Sequence, residues 1–469
     1  MINFGSLGLI ALSSFTLYAW LTSSSLFKPI IHKQPLFCTP LRVESPDHPI
    51  NLKRIVAQAY KDKQQISIVG AGYSQGGQTC ASQALQINIR EMNQLINLNL
   101  EEREVTVQSG ITWQQLQERL SIFGLSVSAM QSYADFTVGG SLGVNAHGQD
   151  VNWNPLSRSV VSMRVLMTDG RTLNTSRSEN PELFKAVLGT YGLVGIITEV
   201  TLKVLPNTIL LKQVDLISTH NYNDYITGLS RDKPLALHSA RLSINPLYRF
   251  KNLVAVNFFD TGQLAIPEQE DHELNYPDTH YLNLVKKSWL AQTARTTVEY
   301  FWLEQNGEMT RNQAMGESVV SLKNTVAGSK DILQEYFIPP DKLQLFIGKL
   351  KEWLGQHSYF TLINATIRKV NADRDSLLPY APEDRFAVVL FINLPDNETS
   401  NTRMQNATRE LIDTVLDLNG RYYLPYALYA SYNQFWQAYP EFKNVIEAKT
   451  KWDRAGLLTN RLYQSYGTF

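Results

Sequence analysis

The chain of 469 residues contains 43 basic and 43 acidic residues, so its formal net charge is zero. Proteins that bind duplex nucleic acid normally carry a basic surplus that displaces counterions from phosphates, and we therefore expect no nucleic-acid partner. Hydrophobic residues make up 43% of the chain and charged residues 18%, which is typical of a globular protein and excludes a mostly disordered one. The length suggests two or three domains.

The N-terminal residues form an uncharged hydrophobic run from Phe4 to Leu21, which at about 18 residues is near the lower limit for spanning a bilayer. No basic residue precedes the run, although secretory signals usually begin with one. The first basic residues, Lys28 and Lys33, follow it, which favours a body that stays cytoplasmic. We expect residues 1–30 to be an uncleaved membrane anchor or a cleaved signal, with a buried N-terminal helix as a further alternative. The protein is then membrane-associated, with an exported or periplasmic location as the alternative.

Only two cysteines occur in the chain, Cys38 and Cys80. Two cysteines provide neither a disulfide framework nor a cysteine zinc site, and we predict no metal. In an exported protein they could pair with each other, but the spacing alone leaves the pairing open.

Short strands and helices alternate between residues 45 and 206. Apolar residues at helical spacing, runs of alternating apolar and polar residues, and turn dipeptides indicate these elements. In chain order they are a helix over 52–61, a strand over 66–69, a strand around 105–107, a helix opened by the capping-box pair Thr112 and Gln115, a hairpin at Asp169-Gly170, a helix from Asn180-Pro181 and a strand over 196–205.

The pattern changes after residue 206. Strand-like runs over 252–259, 358–370 and 386–394 are separated by amphipathic stretches such as 342–354. This pattern predicts an antiparallel sheet flanked by helices, an α+β domain over residues 207–420. Residues 421–469 are too few to fold alone and are expected to dock on another domain.

Glycines cluster directly after the strand predicted over 66–69, in the segment Gly-Ala-Gly-Tyr-Ser-Gln-Gly-Gly at residues 70–77. Glycines at such a place let the backbone approach a phosphate and direct several N–H groups at it. A Rossmann fingerprint with Glu91 as the ribose ligand does not fit, because the third glycine is displaced and no helical pattern follows the loop. Taken alone, this segment could be an ordinary turn.

A second glycine-rich segment, with four glycines, occupies residues 135–148. Two such segments around a strand–helix unit are hard to explain as chain reversals. They are well suited to holding one extended anion from two sides.

The order of these segments resembles the FAD-binding domain of the vanillyl-alcohol-oxidase superfamily, also called the p-cresol methylhydroxylase (PCMH) type. The resemblance covers roughly residues 45–206 and includes Thr137 to Gly148 and the segment 183–198. Within the superfamily the chain is most similar to the branch that oxidises sugars, polyols and aldonolactones, including decaprenylphosphoryl-ribose oxidases. The tail segments 420–426 and 451–453 resemble that branch's closing segment, which returns to the flavin domain.

The resemblance implies an α+β fold with a two-subdomain FAD-binding domain over residues 31–206 and a substrate or cap domain over 207–420. It also implies FAD as the cofactor. The implied cofactor-binding residues are Gly70, Ala71, Gly72, Tyr73, Ser74, Gln75, Gly76, Val138, Gly139, Gly140, Ser141, Gly143, Asn145, His147, Gly148, Gly192, Gly195 and Ile197.

Two departures from the family pattern concern how the flavin is held. Many relatives tether it through a histidine at the position of Tyr73, and others through a cysteine in the second loop, where this chain has none. The resemblance therefore implies FAD held without a covalent bond. His147 is expected to contact the cofactor rather than to act as the catalytic base.

Candidate catalytic residues come from the predicted cap domain and the tail. On a strand, Glu335 and Phe337 share one face while Gln334 and Tyr336 share the other, so only one pair can face the pocket. Arg368 could stabilise negative charge on the reduced flavin or on a substrate oxyanion. Ribose oxidases carry a lysine where this chain has Tyr426, so the substrate or the proton route is expected to differ. The predicted catalytic residues are Glu335, Tyr336, Arg368 and Tyr426.

The predicted function is FAD-dependent transfer of a hydride from a CH–OH group of a sugar, polyol or lactone-like small molecule. Oxygen or a membrane carrier would then accept the electrons. One alternative is a flavin-binding or scaffold protein at a membrane that has lost catalysis. Another is an oxidase of the same fold that acts on phenols, amines or hydroxy acids.

Overall fold

The computed structural model describes residues 38–232, 234–266, 279–303, 307–316 and 324–467. The predicted membrane segment at residues 4–21 lies outside these ranges. Within them, no helix has both the length and the apolar character needed to cross a membrane.

The first sheet has three parallel strands, β1 (Arg42–Glu44), β2 (Ile66–Val69) and β3 (Leu85–Asn88), in the order β1-β3-β2. Helix α1 (Pro49–Lys61) connects β1 to β2. It buries Leu52, Val56 and Ala59 against the sheet, so the predicted helix and strand are both confirmed. The helix starts three residues earlier than predicted because a proline is well tolerated in the first turn.

Cys38 and Cys80 form a disulfide, with their Cα atoms 6.1 Å apart. The bond answers the question that the spacing left open. It connects the chain just before β1 to the end of the first glycine-rich segment.

The second sheet has six antiparallel strands. It contains β4 (Leu95–Asn99), β5 (Glu104–Gln108), β6 (Leu125–Val127), β7 (Val160–Leu166), β8 (Thr172–Ser176) and β9 (Ile196–Pro206). The order is β4-β5-β9-β7-β8, and β6 also pairs with β9. Three helices accompany it, namely α2 (Trp113–Ser121), α3 (Val138–Gly143) and α4 (Pro181–Val187).

Local signals in this part of the chain are confirmed. Thr112 and Gln115 form the predicted capping box at the start of α2. β7 and β8 form the predicted hairpin, in which Gly170 has a positive φ of 84° that glycine adopts without strain.

The third sheet has eight antiparallel strands, and the expected α+β class is confirmed. The strands are β10 (Thr208–Ser218), β11 (Leu235–Leu242), β12 (Asn252–Leu264), β13 (Glu308–Thr310), β14 (Ser329–Ile338), β15 (Thr361–Val370), β16 (Arg385–Pro395) and β17 (Arg421–Tyr422). Their order is β13-β10-β12-β11-β15-β16-β14-β17. The accompanying helices are α5 (Tyr222–Asp232), α6 (Thr279–Lys287), α7 (Trp289–Leu303), α8 (Arg311–Met315), α9 (Leu343–Gln356) and α10 (Glu398–Asp417).

The tail after β17 forms three helices, α11 (Tyr432–Ala438), α12 (Phe442–Trp452) and α13 (Arg461–Tyr466). The buried carboxylate of Asp453 accepts hydrogen bonds from Thr168 and from the amide of Leu458, and it pairs with Lys449. Leu458 forms a parallel bridge with Ile66 on β2. The tail therefore contacts both of the first two sheets.

A buried hydrogen-bonded chain crosses the third sheet. His238 Nε2 lies 2.8 Å from the Tyr222 hydroxyl, and His238 Nδ1 lies 2.7 Å from Asn257 Oδ1. The Asn257 amide donates to the Tyr225 hydroxyl, which in turn donates to Asp215. Burial lowers the pKa of His238 to about 4, because the imidazolium would lose its hydration.

We expect the wild type to lose stability as the pH falls, and we expect the His238→Gln variant not to show this loss. The unfolded chain takes up a proton on this histidine near pH 6.5, whereas the folded protein takes it up only near pH 4. The free energy of unfolding of the wild type should therefore fall by about 3 kcal/mol between pH 6.5 and pH 4.

Urea denaturation of both proteins between pH 7 and pH 4 measures the effect. Burial raises the pKa of Asp331 and of Asp373, which gives a slope of the opposite sign at low pH. The wild type and the variant share that slope, so the difference between their free energies of unfolding at each pH reports the contribution of His238. Parallel stability curves would contradict the assignment.

Candidate active site

The two glycine-rich segments lie in contact. A Cβ placed on Gly70 would lie 3.5 Å from the Cα of Gly140 and only 2.2 Å from Thr137 Oγ1. Thr137 is the N-cap of α3, where its hydroxyl accepts the amide of Gly140 at 3.2 Å. Only glycine at position 70 therefore allows the two backbones to approach this closely.

Unpaired backbone amides occur in the first loop. In the part of the chain that the structure describes, no hydrogen-bond acceptor is found for the amides of residues 71–74. The next two amides are engaged, because Gln75 donates to the carbonyl of Pro425 and Gly76 donates to the side chain of Gln78. The sequence predicted Gln75 and Gly76 as cofactor contacts, but the structure uses both amides to hold the loop.

The amides at the start of the second loop also have acceptors within the chain. Val138 donates to Ile111 and Gly139 to Ser109, while Gly140 and Ser141 both donate to Thr137. The amides of residues 138–141 are therefore engaged within the chain, in contrast to those of residues 71–74 in the first loop. The second loop supplies close backbone packing, since a Cβ on Gly148 would lie 1.8 Å from the carbonyl oxygen of Met130.

Tyr73 lies at the junction of the two loops. Its ring packs edge-on against Phe136 of the second loop, with ring centroids 4.9 Å apart. Burial and the nearby carboxylate of Asp135 raise the pKa of the Tyr73 hydroxyl. The residue at this position therefore presents a neutral phenol.

Gly192, Gly195 and Ile197, which were also predicted to bind the cofactor, follow α4. The amide of Tyr191 donates to the carbonyl of Gly143, so the turn that contains Gly192 lies against the second loop. A Cβ on Gly195 would lie 2.5 Å from Val165, and the carbonyl of Ile197 accepts the Ser109 hydroxyl at 2.6 Å.

Asn145 connects the second loop to the third sheet. It is buried in a left-handed conformation with φ of 44°, and its amide donates to Asp373 Oδ2 at 2.8 Å. Asp373 follows β15 and was not found by the sequence analysis, because an isolated acidic residue in a loop carries no local signal.

A buried contact between His147 and Glu335 forms the centre of the site. His147 Nε2 lies 2.6 Å from Glu335 Oε1, and the two side chains are 2% and 3% exposed. The Tyr426 hydroxyl donates to Glu335 Oε2 at 3.2 Å. Three residues predicted separately, from the second loop, from β14 and from the tail, therefore meet at one carboxylate.

Aromatic side chains enclose this pair. The rings of Phe337, Tyr380 and Tyr423 have centroids 5.5 to 5.7 Å from that of His147. Burial raises the pKa of the Tyr380 and Tyr423 hydroxyls well above its usual value. They are therefore neutral groups that can donate a hydrogen bond. Tyr380 was not singled out in the sequence because no motif surrounds it.

Arg368 lies on the same side of the sheet as Glu335. Its guanidinium donates to Ser132 at 2.8 Å. Burial raises the pKa of the Tyr426 hydroxyl, and the charge of Arg368 opposes part of that rise, as it does at Tyr423. The arginine therefore gives this region positive charge.

Tyr336 does not belong to the site. Its hydroxyl donates to Gln334, whose amide bonds to Thr408 on α10. Because successive side chains on β14 point to opposite faces, Glu335 and Phe337 face His147 while Tyr336 faces the helices. Tyr336 therefore leaves the set of candidate catalytic residues.

These features fit FAD. The first loop has unpaired amides beside glycines that leave no room for side chains, which suits a diphosphate. Around the contact between His147 and Glu335, buried polar atoms have no partner within the described ranges, as expected where a polar ligand binds. They are His147 Nδ1, Gln131 Oε1, Arg368 Nε and the hydroxyls of Tyr380 and Tyr423. No group of three or more acidic, histidine or cysteine side chains that could hold a metal is found among the described residues.

Comparisons with known proteins agree with this fit. Residues 40–176 match a family described as an FAD binding domain, which confirms the predicted domain type and its cofactor. L-gulonolactone oxidase of Mus musculus is 29% identical over 175 residues, which cover 37% of this chain and 40% of the mouse protein. Mitochondrial L-galactono-1,4-lactone dehydrogenase of Arabidopsis thaliana is 31% identical over 158 residues, covering 34% of this chain and 26% of the plant protein.

A longer and weaker match extends beyond this domain. L-gulonolactone oxidase of Scyliorhinus torazame is 21% identical over 434 residues, which are 90% of this chain and 94% of that protein. In the matches to the mouse and plant relatives, by contrast, the chain spans less than half the length of those proteins.

Proposed function

We propose that this chain, whose residues 40–176 form an FAD binding domain, is an FAD-dependent oxidoreductase that oxidises a CH–OH group of a sugar, polyol or lactone-like molecule. The observation that carries the proposal is the buried contact of Glu335 with His147 and Tyr426. It joins a carboxylate of the third sheet to a histidine of the glycine-rich loop.

FAD supplies the hydride acceptor when it is bound. Oxidation of an alcohol also releases the hydroxyl proton, which needs an acceptor beside the reacting carbon. Glu335 is that acceptor in our proposal, and the hydrogen bonds from His147 and Tyr426 hold its carboxylate in place. His147 thus acts through Glu335.

Arg368 supports the same reaction. As the hydroxyl loses its proton, negative charge develops on the substrate oxygen, and a fixed positive charge stabilises it. Arg368 already contacts Ser132, so its guanidinium is oriented before substrate arrives.

Two observations support a hydroxyl-rich substrate. The partnerless hydroxyls of Tyr380 and Tyr423 can donate hydrogen bonds to substrate oxygens. The similar proteins are named as oxidases or dehydrogenases of gulonolactone and galactonolactone, which are sugar lactones. Tyr73 at the usual tether position supports FAD held without a covalent bond.

The test is anaerobic reduction of the full-length protein, purified with added FAD. We expect a yellow protein whose flavin absorbance bleaches with an aldonolactone or a polyol, and acid precipitation should release the flavin into the supernatant. Readmitting air then tests oxygen as the electron acceptor.

Two results would contradict the proposal. A protein that stays yellow with every lactone, sugar and polyol would be a flavin binder without this activity. Bleaching only with a phenol, an amine or a hydroxy acid would move the substrate to another class.

A further inference from the structure

We infer that Gln75 and Gln78 are positioning residues that hold the first glycine loop to the tail segment carrying Tyr426. Their effect on the reaction rests on the proposed function. Through these two glutamines, the loop that binds the cofactor is connected to the tail residue whose hydroxyl contacts Glu335.

Gln78 uses its whole side-chain amide for this contact. The side chain is buried, with 1% exposed. Its Oε1 accepts the amide of Gly76 at 2.9 Å, and its Nε2 donates to the carbonyls of Tyr426, at 2.8 Å, and of Leu424. Both amide hydrogens and the oxygen therefore have partners.

Glutamine suits this position chemically. A carboxylate of the same size would direct an oxygen at two carbonyl oxygens, and an apolar side chain would leave the three backbone groups without partners. Gly76 makes room for the contact, because a Cβ there would lie 2.5 Å from Gln78 Nε2 and 2.5 Å from the Tyr426 carbonyl oxygen.

Gln75 adds a second connection. Its amide donates to the carbonyl of Pro425 at 2.8 Å, and its Oε1 accepts the amide of Leu333 at 3.1 Å. Leu333 precedes Glu335 by two residues on β14, and the amide of Tyr423 donates to the carbonyl of Glu335 at 2.9 Å. Hydrogen bonds therefore connect the loop to the tail, the loop to β14, and the tail to β14.

The far end of the loop is also held. Cys80 is bonded to Cys38, and its amide donates to the carbonyl of Gly77. With both ends held, the two glutamines set where Pro425 and Tyr426 lie relative to Glu335.

The experiment is a double-mutant cycle on the rate constant of anaerobic flavin reduction. We expect Gln78→Met to lower it about tenfold in the wild type but less than twofold in Tyr426→Phe, because the hydroxyl that Gln78 positions is then already absent. Gln86→Met is the matched control. Its amide bonds to the carbonyl of Thr79 at 2.9 Å without reaching the tail, so we expect the wild-type rate.

A residue that only stabilises the fold would lower the rate equally in both backgrounds, and that result would overturn the inference. If Gln78→Met does not give soluble protein, Gln75→Ala replaces it in the same double-mutant cycle with Tyr426→Phe. This substitution removes the bond to Leu333 and changes a side chain that is only partly buried.

Hydrogen–deuterium exchange separates this inference from the proposed function. Even if no substrate reduces the wild type, Gln78→Met should speed exchange in both the loop 70–77 and the tail 424–428, whereas Gln86→Met should leave the tail unchanged. Faster exchange in the loop alone would refute the connection.

Discussion

Gly70→Ala is expected to weaken FAD binding roughly 5- to 150-fold, while Gly348→Ala binds FAD as the wild type does. A Cβ at position 70 would lie 2.2 Å from Thr137 Oγ1, well inside contact distance. Thr137 cannot turn away freely, because its hydroxyl caps α3 through the amide of Gly140. Such overpacking typically costs about 1–3 kcal/mol, which corresponds to this range of affinity.

Gly348 is the matched control because it is exposed on α9, outside the residues predicted to bind the cofactor, and a Cβ there would have nothing within 4 Å. Titration of the apoprotein with FAD, followed by the quenching of flavin fluorescence, gives both dissociation constants. Equal weakening by both substitutions would mean that the contact between the loops does not shape the cofactor site.

Glu335→Gln is expected to lower the rate constant of flavin reduction by substrate about 10²- to 10⁴-fold, with FAD still bound. This is the usual range for loss of a positioned proton acceptor. The substitution keeps the size of the side chain, and its amide oxygen can still meet His147 Nε2. The loss then reflects the missing base and not a collapsed site.

Asp331→Asn is the control for neutralising a buried carboxylate. Asp331 lies on the same strand, β14, and pairs with Lys286 at 2.6 Å, away from His147. Stopped-flow reduction should give a nearly unchanged rate constant for this variant. A Glu335→Gln protein reduced as fast as the wild type would exclude Glu335 as the proton acceptor.

The short-range features of this protein could be read from its sequence. The capping box at Thr112, the hairpin at Asp169-Gly170 and the strand over Ile66–Val69 depend on neighbouring residues, and all three formed as predicted. The glycine loops were also recognisable, because glycine is required where two backbones come into contact.

Long-range partners could not be predicted. His147 and Glu335 are 188 positions apart, and Gln78 and Tyr426 are 348 apart, so no spacing along the chain indicates that they meet. The free amides of the first loop could not be told from the engaged ones, because the acceptors for Gln75 and Gly76 depend on where the tail docks.

The sequence by itself determined the set of local elements and the two glycine loops, and its resemblance to a known family added the candidates Glu335, Arg368 and Tyr426. Tertiary structure alone decided which face of β14 meets His147, which excluded Tyr336. The alternation of side chains allowed either face, and only the packing of α10 on one side and of the second loop on the other distinguishes them.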